Sequence, residues 1–257
     1  MFQYIYPRFQ SGRILRTGML EQLRDYPKDY LELMYSGYGN GIITGCGISW
    51  EMGKLSVEPG MICYGGRPYV MKRRQTLDCK AEDKRRYLVA AFLEDVEEPG
   101  QSVGRGRLVL SEVVPDPSCE LEICRFRLQE GARLRTHYEN FADYATEYDT
   151  VNVIHTPYAA EGESTLHPGL LIRYAEELLE KGPENPYDIN FSMNILAGNG
   201  RLAMRCVKRY LKARGVEVKN SSNKGVYDGL LHVLKQQSGR TEDCGEGRRK
   251  GRGVMLV

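Results

Sequence analysis

The sequence predicts an α+β protein, with an N-terminal antiparallel β-sandwich or open barrel followed by a C-terminal helical bundle. Two observations carry that prediction. Between residues 41 and 129 apolar residues alternate with period two in short runs, and Gly or Pro turn signals separate the runs. Between residues 164 and 238 the apolar spacing changes to i, i+3 and i+4, with proline starts and glycine stops. A chain of 257 residues can bury one large core or two small ones.

Residues 1–39 read as an aromatic arm and short helices. Phe2, Tyr4, Tyr6 and Phe9 punctuate an extended arm, and such side chains suit insertion into a partner. Met19 to Tyr35 reads as helix, with Leu20, Leu23, Leu31 and Met34 on an apolar side. A break is expected at Pro27, since proline removes a backbone donor and restrains the residue before it.

Residues 40–130 read as the β-rich domain. Cys46, Ile48 and Trp50 alternate with Gly47 and Ser49, and Leu55 and Val57 alternate with Lys54, Ser56 and Glu58. Met61 to Tyr64 is apolar on both faces. Glu51-Met52-Gly53, Glu58-Pro59-Gly60 and Gly65-Gly66 supply turns, the last a two-residue hairpin, because glycine reaches positive φ without steric cost. Arg86 to Glu94 reads as a central strand, flanked by strands at Arg107 to Val114 and Glu120 to Leu128.

Residues 131–163, rich in Tyr, Asn, Asp and Thr, read as a linker with some local structure. Residues 164–238 read as a four-helix bundle. Pro168 opens the first helix and Gly182-Pro183 stops it. Asn185 caps the second, whose Ile189, Met193 and Leu196 share a face. The third runs about 201–214, and the fourth about 222–237 with Val226, Tyr227, Leu230, Leu231 and Leu234. Residues 239–257 read as a flexible basic tail.

The totals narrow the function. Lysine and arginine exceed aspartate and glutamate by only two, which gives no general drive toward nucleic acid or an anionic membrane. No apolar run approaches the roughly 18–20 residues of a membrane span. The run from Met1 to Arg8 lacks the pattern of a secretory signal, so the expected place is the cytoplasm or a particle assembled there. The seven cysteines are odd in number and lack zinc spacing. Cys46, Cys63 and Cys206 fall at apolar positions and read as small buried hydrophobes.

No enzyme, metal or cofactor is expected. There is no Gly-x-x-x-x-Gly-Lys-Ser/Thr run, and Gly104-Arg105-Gly106 leads into a strand. Gly198-Asn199-Gly200 follows a helix and reads as a helix–helix turn. His155 reads as a satisfied, partly buried side chain and His167 as a helix-start residue. Arg201, Arg205, Lys208, Arg209 and Lys212 form a basic helix face opposite a core side of Leu202, Cys206, Val207, Tyr210 and Leu211. That face suits an acidic partner protein or, with Arg248, Arg249, Lys250 and Arg252, nucleic acid. Trp50 and exposed tyrosines could instead stack on sugar in a carbohydrate-binding module, against the alternative of a core Trp50.

Gly41-Ile-Ile-Thr-Gly-Cys46 with Leu55-Ser-Val-Glu-Pro-Gly60-Met-Ile-Cys-Tyr-Gly65-Gly-Arg67-Pro-Tyr-Val70 resembles a head segment of phage baseplate, tail-fibre and receptor-binding-protein adaptors. Leu166-His-Pro-Gly-Leu-Leu-Ile-Arg-Tyr-Ala-Glu-Glu-Leu-Leu179 looks like the opening neck helix of the type VI secretion baseplate protein that ties the wedge to its membrane complex. That family orders a β shoulder, a helical neck and a C-terminal head, and forms trimers. This sequence has the first two in that order and a short tail in place of the head, so the membrane-complex contact is not carried over. The resemblance implies a structural adaptor of a contractile, phage-tail-like baseplate. Its partners would be other baseplate or tail proteins, and it would self-associate as a homo-oligomer, a trimer on the resemblance alone, with nucleic acid disfavoured.

Overall fold

A computed structural model describes residues 5–246 apart from 13, 100, 219 and 221. Helix α1 (Thr17–Tyr35) leads into eleven strands. These are β1 (Gly41–Gly45), β2 (Ile48–Glu51), β3 (Lys54–Val57), β4 (Gly60–Tyr64), β5 (Arg67–Met71) and β6 (Gln75–Asp78), then β7 (Arg85–Phe92), β8 (Val96–Glu98), β9 (Gln101–Val103), β10 (Gly106–Ser111) and β11 (Glu120–Arg127). Helices α2 (Pro168–Glu180), α3 (Pro186–Ala197), α4 (Met204–Ala213) and α5 (Asn223–Glu246) follow. The antiparallel β part and the later helices stand in the order the sequence predicts.

The strands form three small antiparallel sheets, β1-β4-β5, β2-β3-β6 and β10-β7-β11, and a ribbon β8-β9. β7 is the central strand of its sheet, and its buried Leu88, Val89 and Ala90 explain its continuous apolar run. Gly65 and Gly66 both take positive φ, 57° and 74°, and close the β4–β5 hairpin. Met52 and Gly53, at 48° and 77°, do the same between β2 and β3. Both are the two-residue turns whose twist matches the strands. Gly60 has another reason to be glycine. It opposes Gly45 where β4 crosses β1, and a Cβ there would lie 2.4 Å from Cys46 Sγ and 2.5 Å from the Cys46 amide nitrogen.

One apolar core runs without interruption from Ile42 in β1 to Leu234 in α5. The segment 131–163, expected as a linker, joins the two parts by being packed into that core. Leu134, Phe141, Tyr144, Val151, Val153 and Ile154 are buried. Its polar residues, which made it look solvated, bond backbone groups instead. Asn152 Nδ2 donates to Tyr144 O at 2.9 Å, and Thr156 Oγ1 donates to Ile123 O at 2.7 Å. Bridges at Arg125–Asn152 and Ile42–Tyr158 add this segment to the edges of β11 and β1.

Four further expectations change. α1 runs through Pro27 without a break. α5 continues to Glu246, so the backbone of 239–246 is helical, while 247–257, including Arg248, Arg249, Lys250 and Arg252, lie outside the described residues. Cys206 is exposed, because Met204, Val207, Tyr210 and Leu211 already fill the inner side of α4. On α3 the buried residues are Asp188, Phe191, Ser192 and Ile195, so Ile189 and Met193 face outward.

Candidate partner-docking surface

α1 is built from good helix formers, but no residue of it is buried. It also carries Gly18 and an interior Pro27, the two residue types most costly to a helix interior. A helix of this length with such residues is marginal alone in water and normally takes its stability from a packed apolar face. Within the chain α1 touches chiefly β5. The side turned to the fold carries the half-buried Leu31, Glu32 and Tyr35, with Lys28 at the rim of the groove beside β5. The opposite side carries Leu20, Leu23, Pro27, Tyr30 and Met34 at spacings of three and four residues, the a and d positions of a heptad repeat. Tyr26 and Leu33 widen the stripe. Leu20, Leu23, Tyr30 and Met34 are 49–55% exposed. α1 therefore sets a mixed side of Leu31, Glu32 and Tyr35 against its own fold and leaves the apolar seam outward. Leu31, three turns on from Leu20 and close to it in angle, stands at the border between the two sides and is half-buried.

The seam carries no concentrated charge. Arg24 pairs with Asp25 at 2.6 Å, and Lys28 with Glu32 at 3.9 Å, within the helix. Just before it, the arm residues Tyr6 and Phe9 are exposed, as are Ile5, Ile14 and Leu15. Phe2 and Tyr4 lie outside the described residues. Together the arm and α1 make a run of uncovered apolar side chains well beyond scattered surface residues.

The second predicted surface is only partly free. Arg205 reaches Glu161 at 3.3 Å, and Lys208 Nζ donates to Glu163 at 2.7 Å, so both fasten α4 to the packed segment before α2. Arg201, just ahead of α4, and Arg209 and Lys212 on it are exposed. Arg214 turns inward. Its Nε lies 3.2 Å from Asp188 Oδ1, although not in line for a hydrogen bond. Asp188 is fully buried and also accepts from Tyr210 OH at 2.7 Å and Gln237 Nε2 at 2.8 Å. Tyr210 OH in turn meets Tyr174 OH at 2.8 Å. This network fixes α2, α3, α4 and α5 against one another, and it is why α3 is rotated to put Ile189 and Met193 outside. Sequence pattern misses it because apolar periodicity counts Asp188 as a surface residue.

Trp50 sits on β2, half-buried against the core, with Nε1 enclosed and unpartnered. His167 caps α2, its Nδ1 accepting from the Gly169 amide at 3.0 Å. Burial lowers its pKa to about 4. His155 is likewise lowered to about 4, by burial first and then by Arg125, Lys224 and Arg85. Among the described residues no cluster of three or more His, Cys, Asp or Glu could hold a metal ion. No helix there is long and apolar enough to cross a membrane.

No family model matches the chain, and no curated protein matches it. Solved structures similar to it include two of baseplate proteins. One is a crystal structure of TssK, at 12% identity over 90% of this chain and 71% of that one, with a TM-score of 0.40. The other is a TssK-TssF-TssG baseplate subcomplex of the type VI secretion system, at 10% identity over 91% of this chain and 99% of that one, with a TM-score of 0.42. At these scores the likeness assigns neither activity nor partner. The surface described above rests on this chain's own residues.

Proposed function

We propose that this chain is a structural assembly component of a phage-tail-like contractile baseplate, acting as an adaptor between neighbouring subunits. The observation that carries an assembly role is α1, a helix with no buried residue, whose apolar seam is about half exposed and whose composition makes it dependent on packing. The kind of assembly is supported by the resemblance of Gly41 to Val70 to baseplate and tail-fibre adaptors, and of Leu166 to Leu179 to a baseplate neck helix. The seam is self-complementary. A heptad stripe on one copy supplies both knobs and holes for the same stripe on another, and no like charges line it. The occupant of α1 is therefore a second copy of this chain, and the trimer follows the resemblance. The arm of Phe2, Tyr4, Tyr6 and Phe9 inserts into a different baseplate subunit. Arg201, Arg209 and Lys212 steer toward an acidic neighbour.

Deleting residues 2–9 is expected to abolish incorporation into the particle while the isolated chain keeps its circular dichroism spectrum. Normal incorporation of the deleted chain would remove the arm's role. The gene surroundings test the assignment itself: sheath, tube and wedge genes are expected beside this one, and a neighbourhood with none of them would sink the baseplate reading.

A further inference from the structure

A groove of about 1680 Å³ lies between α1, β5, β6 and β10. Its rim carries six cations (Lys28, Arg67, Lys72, Arg73, Arg105 and Arg107) against two carboxylates, Glu32 and Asp95. Lys28 pairs with Glu32, Arg67 with Asp95 and Arg105 with Glu98. Lys72, Arg73 and Arg107 have no ion-pair partner among the described residues. The walls also expose apolar side chains, Val70 and Leu93.

The groove is bordered by an open sheet edge. Among the described residues β10 pairs only with β7. Leu93 N–H donates to Arg105 O at 2.9 Å, which sets the phase of that ladder. Alternation then turns the backbone of Arg107, Val109 and Ser111 toward β7, and that of Gly106, Leu108 and Leu110 outward. No backbone hydrogen bond reaches these outward groups among the described residues, although β6 runs close to β10. The neighbouring edge of β5 is different. Tyr64 and Arg67 close the hairpin, so Pro68 falls at an outward position and supplies no donor there. Of these two edges β10 offers the more regular row of outward donors, and β6, whose outer side is also unpaired among the described residues, lies across the groove from it.

From this edge and this charge we infer that the groove is a docking site for an extended acidic segment of a partner protein. The segment adds its backbone to the outer edge of β10, and its carboxylates meet Lys72, Arg73 and Arg107. The chain's own basic run at Arg248 to Arg252 has the wrong sign to fill it. This inference goes beyond the baseplate reading and is tested on the isolated chain, so either can fail without the other.

The test is fluorescence anisotropy with a short labelled peptide alternating glutamate and valine. The comparators are the same peptide with lysine for glutamate, the same peptide with an N-methylated backbone, and oligothymidylate. The acidic peptide is expected to bind and to weaken as salt rises. The combined change Lys72→Glu, Arg73→Glu and Arg107→Glu should weaken it at least about tenfold, as should N-methylation. Leu108→Pro, which removes an outward donor but no ladder bond to β7, should weaken it with β10 intact. Absence of binding, binding indifferent to charge reversal or to N-methylation, or tighter binding of oligothymidylate would each overturn the inference.

Discussion

At the residue scale, single side chains hold specific jobs that can be tested one at a time. Gly60 lets β4 cross β1 beside Cys46, and the atoms facing it are mainly backbone. Gly60→Ala should therefore cost about 2–3 kcal/mol in urea unfolding, while Gly131→Ala, with open space around it, should cost less than about 1 kcal/mol from its positive φ alone. His167 gives a pH signature. Its folded-state pKa of about 4 lies below the ordinary value of 6.5, so between these limits the unfolded chain binds more protons. Stability is then complete above pH 6.5 and is lost as pH falls toward 4, by at most about 3 kcal/mol for this group. Protonation would also spoil Nδ1 as acceptor for the Gly169 amide. His167→Asn keeps a cap and should flatten this part of the pH slope, which denaturant melts at pH 7 and pH 4.5 would measure. His155 should supply a second, similar slope that this variant leaves in place. The role of His167 was legible in the sequence, because a residue before Pro at a helix start is a local signal. The Asp188–Arg214 pair was not, since its partners Tyr210 and Gln237 come from α4 and α5, distant in sequence from Asp188.

At the element scale, the β4–β5 hairpin was readable because a two-residue turn needs positive φ and Gly65-Gly66 advertises it, whereas Glu51-Met52-Gly53 marked a turn without showing that Met52 would take positive φ. The helices were readable from proline starts and glycine stops. Orientation was harder. α3 has an apolar face at Ile189 and Met193, yet its buried face includes Asp188 and Ser192, because Tyr210, Gln237 and Arg214 compensate the buried carboxylate. Asp188→Ala should strand Arg214 and cost about 3–5 kcal/mol in thermal or chemical unfolding, while Met193→Ala, outside the network, should change stability by less than about 0.5 kcal/mol. The segment 131–163 misled for a related reason. Its Asn, Thr and Tyr side chains looked solvated, but their hydrogen-bond partners are distant in sequence. The charge of Lys72 and Arg73 after β5 was not singled out in the sequence. Its meaning depended on the free edge of β10, which pairing alone reveals.

For the whole molecule, a single core binds the β part and the helices, and the exceptions to good burial concentrate in α1 and the arm. α1 accepts Gly18 and Pro27, half-buries Leu31 and Glu32 against the fold, and leaves Leu20, Leu23, Tyr30 and Met34 in water. That arrangement is unfavourable for a monomer and favourable for copies joined along the seam. The sequence showed that the helix had an apolar side; it could not show that this side faces away from the fold. Sedimentation equilibrium on the full chain and on a variant with Leu20→Glu, Leu23→Glu, Tyr30→Glu and Met34→Glu tests this most directly. The account predicts a homo-oligomer for the natural chain, and a monomer with an unchanged β signal for the variant. A natural chain that stays monomeric at high micromolar concentration, or a variant that associates as the natural chain does, would contradict it.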